Sequence, residues 1–502
     1  MSWLEGKLVG VEPAIGRNTV AKMVVEVPDE LREFWEAMVE SLSVMERTIK
    51  ATGGGKAVDY GQVERLVSEE MSKGERAAHG AILRSLDIDV PAVIIGGLRY
   101  TRVGRCEGPY HTLAGTLSVE RSLYRQAGTR GGQVEARVVD AVSLRAGVVG
   151  DGWLPHTARV MAHDVQKGTS REAAASAGEH GRAPYCRASF ERVTHLVGAL
   201  AEAGHRDIED ALIDAYEVPV EADSVSVSLD RVSVPMEEPR TRPVGRPRKG
   251  AAKNPVKRVF HMAYCATVTL HDDQGEALHT IRYGLMPEGD VAGLQERLVA
   301  DVATLVSKQP RLQIQLLCDG APEMWNLLEA GFTPEKFGPG VHRLVDLHHL
   351  VEKLAPAARR LEGLEASTAR TATLQGWKAA LLKRAGAAQG ILAELIASGL
   401  DEGVGEDHPV HAAITYLQSH SERAERMNYA GARRLGLPLA SGNVEATCKS
   451  LFEMRMKRCG ARWKNDSGQH IVQLRALALS DRWGPAVHLI LRPLRMPVRQ
   501  AA

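Results

Sequence analysis

The chain has 502 residues, 44% of them hydrophobic and 25% charged, with a formal net charge of +1. That length exceeds one ordinary core and points to roughly two to four domains. The composition is that of a globular chain, and no apolar run approaches the about 18 residues of a membrane span.

The opening residues, MSWLEGKLVG, lack a basic stretch followed by an apolar core, so no secretory signal is expected. Six cysteines (Cys106, Cys186, Cys265, Cys318, Cys448 and Cys459) lie scattered without a CxxC pair. This argues against a disulfide framework and a cysteine zinc site, and fits a reducing cytoplasm. Residues 28–90 read as helical, with apolar residues at helical spacing in ELREFWEAMVESLSVMERTI. TGGGKAVDYG at 52–61 interrupts them. It lacks the spacing and the Ser/Thr of a phosphate-binding loop and reads as a turn.

Residues 97–125 alternate and carry Gly/Pro turns, which predicts a small antiparallel β element. Residues 156–200 return to helix. Thr169 and Ser170 are possible caps for one helix, and a second is expected over roughly 187–203. A helix, a short break and a basic helix fit a helix-turn-helix that turns Arg187 and Arg192 toward DNA. They fit an ordinary pair of packed helices equally well.

From residue 220 the pattern changes to strands. In VSVSLDRVSV, Val225, Val227 and Leu229 alternate with serine; after Asp230 the apolar phase slips by one to Val232 and Val234. Period-2 alternation marks a half-buried strand, yet aspartate is depleted in strands and costly to bury unpaired. The basic, Pro/Gly-rich stretch 235–256 reads as a solvated insert. Strands are predicted over 259–271 and 277–286, a helix over 290–307, a strand over 312–320, a helix from Pro322 to Gly331, and a strand beginning at 342. The order is β-β-β-α-β-α-β. A meander followed by a right-handed crossover makes the fourth strand parallel to the first. This is the strand order of the ribonuclease-H-like fold, a mixed α/β sheet. Residues 350–440 read as helical throughout.

In that fold Asp230 lies in the first strand and Asp319 at the carboxyl end of the fourth. Ligands gather at such strand ends. Side by side at a strand spacing of ~5 Å the two carboxylates repel, and a divalent cation relieves that. Mg²⁺, with Mn²⁺ as substitute, suits hard oxygen ligands and phosphodiester cleavage. Glu445, after a Ser-Gly-Asn loop, supplies a third carboxylate; Glu453, two turns on, is the lesser candidate. Taken singly, each acid reads as a turn former, a cap or a dipole partner. Only their combination defines a site.

Basic residues cluster locally. Residues 240–258 hold eight and no acid; residues 449–464 hold six against Glu453 alone. Both suit phosphate contact. VGRPRKG (244–250) is close to an AT-hook, with Arg246, Arg248 and Lys249 for a narrow minor groove, though a solubilising linker has the same composition. RMKRCGARWK places Arg455, Lys457, Arg458, Arg462 and Lys464 after Glu445. Trp463 there reads as a base-stacking platform or, more simply, as core.

SLDRVSVPMEE, LLCDGAPEMWN, VDLHHLVEKL and above all SGNVEATCKSLFEMRMKRCGARW with LRALALSDRW resemble bacterial insertion-sequence transposases of the ISKra group, relatives of the Mutator-like DDE transposases. The resemblance runs from roughly residue 100 to 484. It implies that Asp230, Asp319 and Glu445 form a DDE triad and that the helices of 351–440 are an all-α insertion. It also implies that His349, in a D-x-x-H arrangement with Asp346, touches DNA near the metals; a histidine on a strand-to-helix turn is the plainer alternative. Expected partners are double-stranded DNA, at terminal inverted repeats and target, and further copies of the chain, at least as a dimer. Many members carry a cysteine zinc ribbon near 97–130. Only Cys106 stands here, so no structural zinc is expected.

The expected domains are a helical N-terminal region (1–95), a small β element (96–150), a helix-turn-helix-like domain (151–215), a catalytic domain (220–350 plus 441–484), the helical insertion (351–440) and a tail (485–502). Two rivals remain: a catalytically silent DNA-binding protein on the same scaffold, and a structure-selective nuclease.

Overall fold

The computed structural model describes residues 25–128, 138–237, 258–365, 371–402 and 405–501. The chain divides into two units: Met1–Met161 with Ser170–Val193 and Leu491–Ala502, and Ala162–Thr169 with Thr194–Ile490.

The first unit opens with two helices, α1 (Arg32–Thr52) and α2 (Tyr60–Ser85). The glycine-rich turn between them ends at Asp59, whose carboxylate accepts the Gln62 N–H and caps α2. An antiparallel sheet follows: β1 (Ala92–Ile95), β2 (Leu98–Thr112), β3 (Gly115–Gln126) and β4 (Val139–Asp140). Within the segment expected as a tail, β10 (Val498–Gln500) pairs with β1, giving the order β10-β1-β2-β3-β4. Helices α3 (Ala141–Ala146), α4 (Pro155–Lys167), α5 (Ser170–Glu179), α6 (Arg187–Ala203) and α7 (His205–Asp214) come between the two sheets in the chain.

The second unit holds the other sheet. Its strands are β5 (Ser224–Glu237), β6 (Arg258–His271), β7 (Ala277–Leu285), β8 (Gln313–Cys318) and β9 (Val341–Val345), in the order β7-β6-β5-β8-β9. The first three form an antiparallel meander, and β5 pairs with β8, and β8 with β9, in parallel. Helix α8 (Val291–Lys308) connects β7 to β8; α9 (Pro322–Gly331) and α10 (Pro334–Phe337) connect β8 to β9. Strands one and four are therefore parallel neighbours, as the element order predicts. The strand predicted to end at 234 runs on to Glu237, so residues 235–237 belong to the sheet. The remainder of the expected insert, 238–256, lies outside the described residues, and with it Arg246, Arg248 and Lys249.

The phase slip in β5 now has a cause. Val225, Val227 and Leu229 enter a core with Leu298 and Val302 of α8 and Trp325 of α9. Val232, Val234 and Met236 enter another, with Val444, Phe452, Met456 and Val472. Side chains alternate along a strand, so these odd and even positions lie on opposite faces. No bulge intervenes, because the β5–β6 register runs unbroken from Ser224↔His271 to Glu237↔Arg258. Asp230 is where the buried face changes over.

Helices α11 (Leu347–Leu361), α12 (Ala372–Lys383), α13 (Ala387–Ala397) and α14 (Pro409–Ser419) build a third core around Leu317 of β8 and Leu344 of β9; α15 (Tyr429–Arg434) adds Tyr429 and Ala432. The chain then enters α16 (Gly442–Thr447), a π-helical turn (Cys448–Glu453) and α17 (Met454–Met456), followed by α18 (Asn465–Leu479) and α19 (Trp483–Leu491). Gly284 of β7 is where this group seats on the sheet. A Cβ there would stand 2.3 Å from Val472 and 2.7 Å from Leu451. Gly284→Ala is expected to overpack the joint and cost about 1–3 kcal/mol, read as a lowered midpoint in chemical denaturation.

Candidate active site

The parallel ladder pairs Ser224 with Gln313 and continues to Val227 with Leu316. Extending that register by three residues sets Asp230 opposite Asp319. The β8–β9 register, which ends at Cys318↔Val345, sets Asp319 opposite Asp346 when carried one step further. Paired positions in a parallel sheet share a face. By that extension Asp230, inside β5, lines up with Asp319 and Asp346, which lie one residue past the ends of β8 and β9.

Burial pushes the Asp230 carboxyl above the usual carboxylate range, and the charge of Asp319 pushes in the same direction. Hydrogen bonds from the Arg231 N–H (2.6 Å) and the Cys448 thiol (3.4 Å) oppose the shift, as does nearby His349. The Cys448 thiol is held far above its usual range by its hydrogen bond with Cys265 and by burial, so it stays protonated and remains a donor. Asp319 accepts the Ala321 N–H at 2.9 Å, and its backbone carbonyl accepts the Tyr416 hydroxyl at 2.9 Å. Gly320, at φ +99°, is needed there, because a Cβ would meet His420 Nε2 at 2.8 Å and the Tyr416 hydroxyl at 2.9 Å. Burial raises the Tyr416 hydroxyl, with the Asp319 charge adding to it. Both ring nitrogens of His420 are buried without a hydrogen-bond partner among the described residues.

Asp346 has a different task from its two neighbours. Its side chain is buried (2% exposed), and both carboxylate oxygens are occupied. Oδ1 accepts the His349 N–H at 3.0 Å and so caps α11. Oδ2 accepts the Ser441 hydroxyl at 2.6 Å and also the Ser441 N–H. One buried carboxylate thus ties the first turn of the His349 helix to the residue that opens the Glu445 helix. Ser441 turns its hydroxyl to Asp346 and leaves its own helix uncapped.

Glu445 lies in the first turn of α16, exposed, three residues before Cys448 and hence beside it on the helix surface. Among the described residues, no three His, Cys, Asp or Glu side chains stand close enough to enclose a metal ion. Asp230 and Asp319 nevertheless fit a hard divalent cation as a pair. They are two oxygen donors in register, one of them half-buried and destabilised as an anion, and Mg²⁺ commonly takes one or two carboxylates with water and phosphate. Glu445 is not within that pair. His349 is half-exposed, with Nδ1 3.7 Å from Glu352. Glu453 is exposed and ion-paired to Lys457 at 2.8 Å.

Of the basic residues, Arg187 and Arg192 are exposed on α6, and Lys457, Arg462 and Lys464 are exposed around α17 and the start of α18. Arg458 is partly buried, its Nε donating to the Met454 carbonyl at 3.3 Å. Arg455 does not face solvent. It is 6% exposed, donates to the Val165 carbonyl at 3.2 Å and lies over the Trp463 ring at 5.0 Å. Trp463 packs against the core of α16–α18, donates to the Met456 carbonyl and bridges to Met236 of β5. Sequence reasoning missed Ser441, Cys448, Tyr416 and His420. The first two lie in the quoted SGNVEATCKS motif, but Tyr416 and His420 reach Asp319 from about a hundred residues away and carry no local signal.

No protein family and no curated protein matches the chain. The chain is similar to solved structures of Mos1 transposase. A Mos1 transposase paired-end complex with left transposon end shares 13% identity over 57% of this chain and 79% of its own, with a TM-score of 0.16. A pre-cleavage Mos1 transpososome shares 10% identity over 81% of this chain and 98% of its own, with a TM-score of 0.15. Likenesses at these TM-scores constrain neither fold nor activity.

Two outcomes test this geometry. In Asp230→Asn the repulsion and the burial of charge are removed, so without divalent cations the midpoint should rise by about 2–4 °C. A raised carboxyl favours the folded state below its unfolded pKa and loses that contribution as pH climbs through the folded value. The gain should therefore be small in acid and larger at neutral pH, read by thermal unfolding at both. Asp346→Ala strands three buried donors and should destabilise by about 2–4 kcal/mol in denaturant titration, more than Ser441→Ala.

Proposed function

We propose that the chain is a metal-dependent DNA transposase with a ribonuclease-H-like catalytic sheet and an all-α insertion, acting through Asp230, Asp319 and Glu445. What supports this reading is that the Asp319 charge acts on Asp230, that the β5–β8 register carried beyond Val227↔Leu316 sets the two opposite each other, and that Cys448, just after the Glu445 helix, donates to Asp230. The two aspartates would hold Mg²⁺ or Mn²⁺, and Glu445 would join them when DNA is bound. The metal supplies the Lewis acidity that makes a water or a 3′-hydroxyl a nucleophile toward phosphorus.

The protein's own groups do the rest. The Cys448 thiol and the Arg231 N–H orient the Asp230 carboxylate. The Tyr416 hydroxyl and the left-handed Gly320 hold the Asp319 turn. His349, half-exposed at the mouth of the site, would reach a DNA phosphate beside it. Lys457, Arg458, Arg462 and Lys464 follow Glu445 in the chain and would neutralise backbone phosphates, as would Arg187 and Arg192 on a helix-turn-helix formed by α5 and α6. Arg246, Arg248 and Lys249 would lie in the minor groove. Arg455 is left to packing.

The assay is nicking and strand transfer on the element's own ends with Mg²⁺. Asp319→Asn and Glu445→Gln should each lower nicking by about a thousandfold or more while DNA affinity stays within about threefold. A purified Asp319→Asn protein that nicks normally would refute the assignment. Cutting of branched DNA without end preference or strand transfer would make the chain a nuclease, and metal-independent binding with no cutting would make it a DNA-binding protein.

A further inference from the structure

Helices α1 and α2 form an antiparallel hairpin whose inner face is small and close-packed. Phe34 and Met38 lie over Gly74, where a Cβ would meet Met38 Sδ at 2.6 Å. The Ser41 hydroxyl donates to the Glu70 carbonyl at 3.1 Å, and Arg84 pairs with Glu33 at 2.7 Å. The inner face accounts for only part of the apolar side chains. On α1, Trp35, Val39, Leu42 and Ile49 are all more than a third exposed, Leu42 at 59% and Ile49 at 71%. On α2 the same holds for Tyr60, Val67, Met71 and Ile82.

The spacing of these residues is regular. On α1 each follows an inward-facing residue by one position: Phe34 then Trp35, Met38 then Val39, Ser41 then Leu42, Thr48 then Ile49. On α2 Val67, Met71 and Ile82 likewise follow Leu66, Glu70 and Ala81, which are partly or fully buried. One residue turns a helix by about 100°, always in the same sense seen from its N-terminus. In two helices that run antiparallel and face each other, that step leads to the same side of the hairpin. The two stripes therefore merge into one apolar face along both helices.

We propose that this face is a self-association surface, on which a second copy of the chain seats the same two helices to form a four-helix bundle about a two-fold axis. Two features select a second copy. With side chains of ~150–250 Å², the exposed fractions add to about 800 Å² on each copy, the area a standard-sized interface buries per partner. A flat pair of antiparallel helices is also its own best complement, because two such pairs stack as a bundle with interdigitating side chains. Charge disfavours DNA as the occupant. Helix α2 carries four Glu against four Lys and Arg, and α1 four Glu against three, so no polyanion is drawn here. This inference is independent of the metal site, since it concerns mass and not cleavage.

The test is sedimentation velocity of the full chain over a concentration series. The parent should be a dimer at roughly 10 μM. Leu42→Lys with Ile49→Lys should weaken association by more than about thirtyfold, as loss of central apolar anchors does, with an unchanged far-ultraviolet circular dichroism spectrum because both side chains are exposed in the single chain. Leu42→Glu with Ile49→Glu should behave alike, and mixing the two variants should restore a dimer. A parent that stays monomeric, or a dimer that neither variant weakens, overturns the proposal. So does a chain lacking residues 1–24 that dimerises where the full chain does not, which would assign the face to that segment.

Discussion

Two carboxylates held in register on adjacent parallel strands are an unfavourable arrangement, and the surrounding structure follows from keeping it. The parallel β5–β8 ladder ends at Val227↔Leu316; its register carried on sets Asp319, just past the end of β8, opposite Asp230, whose carboxyl feels the Asp319 charge. Their repulsion and the burial of Asp230 are offset only in part, by one N–H, one thiol and a nearby imidazole. A carboxyl perturbed by burial together with a specific charged neighbour is the kind of group that clusters at functional sites.

The supports around the pair are buried and polar, and each does one identifiable thing. Asp346 continues the row of acids but is fully bonded, and it joins α11 to the loop that launches α16. Tyr416 and the left-handed Gly320 hold the Asp319 turn. Cys448, kept as a thiol, links the α16 helix to Asp230 at the start of a π-helical turn. Leu451 and Phe452 of that turn pack on the sheet. The aspartates thus differ in their bonding: Asp346 accepts from three donors, Asp230 from two and Asp319 from one among the described residues.

Much of this was legible in the residues. The five strands of the second sheet, the connecting helices α8 and α9 and the α5–α6 pair lie within a few residues of their expected bounds. Alternation and helical spacing report local burial, and burial is what shapes these elements. Asp230 and Asp319 stood out because a carboxylate interrupted an apolar strand pattern or ended one. Other features had no local signature. The pairing of β10 with β1 joins residues about four hundred apart in the chain. Arg455 read as one more cation in a basic run, yet it is buried over Trp463, because the same run also has to close a core.

By itself the sequence determined the strands and helices of the second sheet and singled out Asp230 within a strand and Asp319 after one, since both depend on the periodicity of neighbouring residues. Tertiary structure alone decided that Asp346 is a strut between two helices, that Tyr416 and His420 attend the Asp319 turn, and that Glu445 stands exposed. It also decided which apolar residues of α1 and α2 remain uncovered. Those outcomes depend on which distant side chains meet, and the meeting is set by strand register and helix packing, which no local pattern encodes.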